Sequence, residues 1–194
     1  MRKYLVSAFA LFSCLFTIAQ SNDADLNKRL DDYMQLTREL KFNEIMDYTH
    51  PKIFAIVPKE QLVEIFRQSF DNESMKIGFD STGITNITDP FKIKDTAYRK
   101  IGYWMAINVV FKDTSALNDE GFITTMTTAF STAFPGSTVK YNKASKKFEI
   151  KAPSIMIAIK DDDAAQWMFL GYQKNNALLQ QLYPQEVIDH FMLL

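Results

Sequence analysis

The chain has 194 residues, 47% of them hydrophobic and 13% aromatic, with 22 basic and 23 acidic side chains. A near-neutral balance excludes a polyanion binder by bulk charge, so no nucleic-acid partner is expected. One cysteine and two histidines exclude a disulfide framework and leave too few ligands for a classical zinc site, so no metal is expected.

Met1-Arg2-Lys3 supplies positive charge, Tyr4 to Phe16 is almost wholly apolar, and Thr17-Ile18-Ala19 ends on a small side chain. This is the three-part layout of a secretory signal peptide with cleavage after Ala19. The run is shorter than the roughly 20 apolar residues of a membrane-spanning helix, and no later stretch comes closer, so no integral membrane span is expected. Leu11-Phe12-Ser13-Cys14 loosely resembles a lipidation box, but Phe12 is bulky and the residues after Cys14 stay apolar. Soluble export to the periplasm or the exterior is therefore expected, with a lipid anchor through Cys14 as the lesser alternative. Loss of residues 1–19 removes Arg2, Lys3 and Cys14, leaving 20 basic against 23 acidic side chains, a net charge of -3. Residues 20–194 then form one domain held by packing alone, long enough for its own core.

Leu26, Leu30, Tyr33, Thr37 and Leu40 recur at helical spacing, which predicts a helix over Asp23 to Leu40. Lys41 to Thr49 repeats the pattern with Phe42, Ile45 and Met46, and Pro51 ends it. Pro58 suits the first position of a third helix, with Leu62, Ile65, Phe66, Ser69 and Phe70 as its inner face. Met75, Ile77 and Phe79 then alternate with polar residues, followed by short extended pieces at Ile84 to Thr88 and Phe91 to Ile93. Tyr98 to Phe111 is the clearest strand: Ile101, Tyr103, Met105, Ile107, Val109 and Phe111 share one face. The other face (Gly102, Trp104, Ala106, Asn108, Val110) is apolar enough to predict cover on both sides. Gly121 to Phe134 is rich in threonine, yet Phe122, Met126, Ala129, Phe130 and Ala133 fall at helical spacing behind an Asn118 cap, so a helix is predicted. Strands Thr138 to Tyr141, Lys147 to Lys151, Ser154 to Lys160 and Gln166 to Tyr172 follow, and Ala177 to Tyr183 and Pro184 to Met192 finish as helices.

Helices followed by an antiparallel sheet, together with Leu40 to Pro51 ending in Thr49-His50-Pro51 and the Trp-x-Phe pattern of Gln166-Trp167-Met168-Phe169-Leu170, resemble exported bacterial members of the nuclear transport factor 2-like superfamily, which includes SnoaL-like proteins. The resemblance implies an α+β fold in which N-terminal helices pack on a curved antiparallel sheet, a cystatin-like cone with a pocket at its open end. The helix at Gly121 to Phe134 departs from that pattern as an insertion between strands. The superfamily hosts dehydratases, isomerases, hydrolases and non-enzymatic binding modules, so fold does not fix function.

Two functions are therefore carried forward. One is a non-catalytic module that binds a small apolar ligand or a partner protein through the cone. Tyr33, Tyr48, Tyr103, Trp104, Trp167 and Tyr172 would supply apolar surface with polar handles, and Asn108 a buried polar group in need of a partner. The other is a SnoaL-like lyase, isomerase or hydrolase, with His50 as general base and Asp47 or a sheet carboxylate orienting it. His50 packing at a helix end is the plainer reading, as one histidine without an identified partner is weak evidence. Asp161-Asp162-Asp163 reads as a solvated hairpin turn sooner than a calcium loop, as it lacks the Gly and Glu spacing of one. No Gly-rich phosphate loop and no Gly-x-Ser-x-Gly elbow is present, and no cofactor is implied. The open sheet face is a candidate homodimer interface.

Overall fold

Asp23 opens the first helix: its carboxylate accepts the N–H of Leu26 (3.1 Å), the N-cap role that short polar side chains fill. Helix α1 (Ala24–Arg38) buries Leu26, Leu30 and Met34, four residues apart, along one stripe. The computed structural model describes residues 23–172 and 179–193, so the leader at 1–19 and the expected helix start at Ala177 lie outside the described residues. Helix α2 (Phe42–Ile45) passes into a 3-10 turn, Met46–Tyr48. Thr49 and His50 are extended, and Pro51 opens a second 3-10 turn, Pro51–Ala55, that the sequence pattern did not predict.

Helix α3 (Lys59–Phe70) starts one residue after Pro58, which takes the cap position. Its inner stripe is Leu62, Val63 and Phe66, and Phe70 lies 5.3 Å from the Phe42 ring and 5.4 Å from Phe79. Ile65, expected inside, is 44% exposed, and Ser69 is exposed too. The aromatic contacts at Phe66 and Phe70 set the helix rotation, and Val63 takes the inner place that Ile65 was expected to hold.

The sheet follows. β1 (Met75–Ile87) is continuous across the stretch expected as two pieces, because two register shifts, bracketing Asp80 and Thr85, absorb extra residues. Such bulges bend and twist a strand. β2 (Phe91–Ile93) and β1 both pair with β3 (Thr96–Phe111), and β3 pairs with β5 (Lys147–Asp161). β4 (Thr138–Asn142) takes the first part of the far edge of β5 and β6 (Ala164–Tyr172) the last, giving six antiparallel strands in all. β5 is one strand where two were expected. Pro153, opposite Trp104 of β3, falls between the stretches paired with β4 and with β6, so on that edge its missing N–H breaks no ladder bond.

Alternation then sorts the core. Ile101, Tyr103, Ile107 and Val109 of β3, with Phe148, Ile150, Met156 and Ala158 of β5, face the helices. α1 covers one end of that face. α4 (Glu120–Ala133), inserted between β3 and β4 as expected, covers the other with Phe122, Ile123, Met126 and Phe130. Its cap is Asp119, whose carboxylate accepts from Gly121 N–H at 2.7 Å, while Asn118 ends a preceding 3-10 turn. On the opposite face Tyr98, Ile157, Ile159 and Leu170 pack under α5 (Leu179–Leu182) and α6 (Gln185–Phe191). That cover stops near Lys100, whose ammonium donates to Phe191 O at 2.8 Å. Among the described residues nothing packs over the rest of this face. Val110 is 42% exposed and the row from Gly102 to Asn108 is only half-buried, contrary to the expectation of cover on both sides.

Candidate functional site

His50 sits where the helical segments meet the sheet. Its backbone N–H donates to Phe169 O (3.1 Å), and Thr49 and Phe169 form an isolated parallel bridge, so this segment is laid along the outer edge of β6. The side chain is 0% exposed. Nδ1 accepts the Lys52 N–H (3.3 Å), which places the ring proton on Nε2, and Nε2 donates to Asp161 Oδ2 (3.1 Å). Burial pushes the ring's pKa below its usual range, outweighing the opposing pull of Asp161. Both nitrogens are engaged within the protein, so neither presents a lone pair to a bound molecule.

Asp47 and His50 are not brought together. The Asp47 side chain is 67% exposed and pairs with Lys59 at 2.7 Å. The carboxylate that meets His50 is Asp161, at the head of the Asp161-Asp162-Asp163 stretch. Its other oxygen accepts Ala164 N–H (3.0 Å), closing a two-residue hairpin turn between β5 and β6. Among the described residues no group of three or more His, Cys, Asp and Glu side chains could hold a metal ion.

A cavity of about 340 Å³ lies between the N-terminal helices and the end of β6. Helices and turns contribute Tyr33, Met46, Ile53, Leu62 and Phe66, and the sheet contributes Tyr103, Phe169, Gly171 and Tyr172. Three of the predicted tyrosines thus converge here. Burial pushes the Tyr33 hydroxyl well above the usual phenol range. Burial raises Tyr103 as well, against the opposing effect of Ser154. The Tyr172 hydroxyl donates to Leu193 O, so its ring lines the cavity while its polar end ties down the C-terminal helix. None of the described lining residues is charged. A side chain added at Gly171 would meet nothing within 4 Å.

The other predicted residues lie elsewhere. Tyr48 stacks under the Arg29 guanidinium (4.5 Å to the ring centre). Arg29 also donates to Trp167 O (2.6 Å) and to the Gln166 side chain, which staples α1 to β6. Trp167 is buried in the core and its N–H donates to the Asp23 carboxylate at 2.7 Å. Trp104 and Asn108 are on the opposite sheet face. Sequence reading missed Gly171, and it placed Asp161 in a hairpin turn without naming it as the sheet carboxylate that meets His50. An isolated glycine near a strand end was the available signal for the first, since such glycines mark places where something approaches closely. Nothing local marks Asp161, as its partner is 111 residues away.

No protein-family model matches the chain, and no curated protein matches it either.

Proposed function

We propose that the chain is a non-catalytic binding module whose ligand is a small, uncharged, largely apolar molecule held in the cavity between the N-terminal helices and the end of β6. The observation that carries this reading is the lining: apolar side chains, tyrosines and one threonine, without a charge. Burying a charged ligand group against such walls costs several kcal/mol unless it is paired, on the order of the penalty for any unpaired polar group or more. The volume is at the low end of small-molecule sites, which run from about 300 Å³. A nuclear transport factor 2-like cone would hold its pocket in this region, between helices and sheet, and the module would be exported with residues 1–19 as its leader. A lyase, isomerase or hydrolase using His50 and Asp47 draws no support from a sealed imidazole and a surface carboxylate. His50 instead acts as an anchor for the chain that borders the cavity.

The neutral dye N-phenyl-1-naphthylamine tests this directly. Its fluorescence is expected to rise saturably with the protein, and Gly171→Leu, which fills open space, to abolish the rise without lowering the thermal midpoint. Tyr33→Phe removes one hydrogen-bonding group and is expected to weaken a hydroxyl- or carbonyl-bearing ligand by roughly threefold to tenfold. A dye signal unchanged by Gly171→Leu would overturn the assignment.

A further inference from the structure

We propose that the uncovered face of the sheet carries a second binding site, a groove for a neutral saccharide centred on Asn108. The groove holds about 300 Å³ and lies across β1, β3, β5 and β4, on the sheet face opposite α1 and α4. Its floor is low because Ala106 is small, and a side chain added at Gly78, the register partner of Asn108, would meet nothing within 4 Å. Asn108 stands opposite Gly78 in the β1–β3 register and opposite Glu149 in β3–β5. The Asn108 Oδ1 is buried and accepts no hydrogen bond. A buried acceptor without a donor costs free energy that a ligand's hydroxyl would recover.

The groups around it form a built site. Asp80 is the extra residue of the first β1 bulge, between the pairs Phe79↔Ile107 and Ser81↔Ala106. Bulges re-aim side chains out of the normal alternation, and Asp80 lines the groove. Lys140, Glu149 and Lys151 complete a rim of two cations and two carboxylates. Glu149 accepts from Asn142 Nδ2 (2.8 Å), and the Lys151 ammonium lies 4.4 Å from the centre of the Trp104 ring. Among the described residues Asp80, Lys140 and Lys151 form no ion pair. An anion would meet Asp80 and Glu149, and a cation would meet the lysines. A polyhydroxylated neutral molecule satisfies all of them: its hydroxyls donate to Asn108, Asp80 and Glu149 and accept from Lys140 and Lys151. Rigid strands hold these groups in place.

The test is a titration of the ¹⁵N-labelled full chain with maltotriose, cellotriose and chitotriose, followed by NMR. At least one sugar is expected to shift the Asn108 side-chain amide and the neighbouring β3 and β5 amides saturably. Asn108→Ala and Lys140→Ala, the latter on an exposed side chain, are each expected to weaken binding about tenfold, the loss of one buried or charge-assisted hydrogen bond. Absence of groove shifts with all three sugars overturns the proposal, as do shifts that persist in both variants. Groove resonances that respond to a zwitterionic amino acid instead, or to protein concentration without sugar, also overturn it, the latter assigning the face to a second copy of the chain.

Discussion

Removing the His50 ring leaves Asp161 Oδ2 and the Lys52 N–H without their partners, beside the void of a fully buried ring. His50→Ala is expected to destabilise the fold by about 3 kcal/mol, visible as a lower urea midpoint, since a deleted ring adds a cavity to two orphaned polar groups. The same geometry sets a pH dependence. The charged and titratable groups facing the ring are Asp161, Lys52 and Asp163, and burial outweighs them to lower the folded pKa below the ordinary value of 6.5. Folded protein then binds fewer protons than unfolded protein in that window. His50's contribution to stability is full above about pH 6.5 and is lost as pH falls towards the folded value. Urea midpoints measured at about pH 7 and about pH 5 should fall for the native chain and fall less for His50→Gln; equal falls would contradict this account. Sequence marked His50 as the residue to watch, yet offered the neighbour Asp47 by name. A partner 111 residues along the chain becomes visible only once β5 turns back beside the first helices.

α4 shows how much an element reveals and why. Threonine content argued for a strand, but the apolar spacing of Phe122, Met126 and Phe130 made the helix legible, since packing overrides weak propensity. The outward threonines settle by donating to carbonyls four residues back, as Thr124 does to Glu120 O and Thr128 to Thr124 O. Thr128→Ala is therefore expected to raise stability by about 0.5 kcal/mol, whereas Phe130→Ala, stripping a ring 5.2 Å from Phe148, should cost about 3–4 kcal/mol. Urea titration of the two variants checks both signs. Less was legible in β1 and β5. Bulges keep β1 continuous across a broken alternation, and Pro153 is tolerated only because of where β4 ends and β6 begins. Both depend on neighbours, not on local pattern.

At the scale of the whole molecule, the two sheet faces differ in chemistry. The cavity at the edge of β6 is lined without a charge, whereas the sheet face past the end of α6 is open and polar. Composition and periodicity made the α+β class and the order of its elements readable, but not which sheet residues stay uncovered, because that depends on where the C-terminal helices stop. The proposed leader at residues 1–19 predicts a recovered protein whose N-terminal residue is Gln20, checked by intact mass from producing cells; a chain retaining Met1 would count against the leader. The central claim is the neutral ligand in the cavity, and a crystal structure grown with N-phenyl-1-naphthylamine addresses it most directly. Dye density between Tyr33, Tyr103 and Gly171 is the predicted result. An empty cavity with dye bound elsewhere on the surface would contradict it.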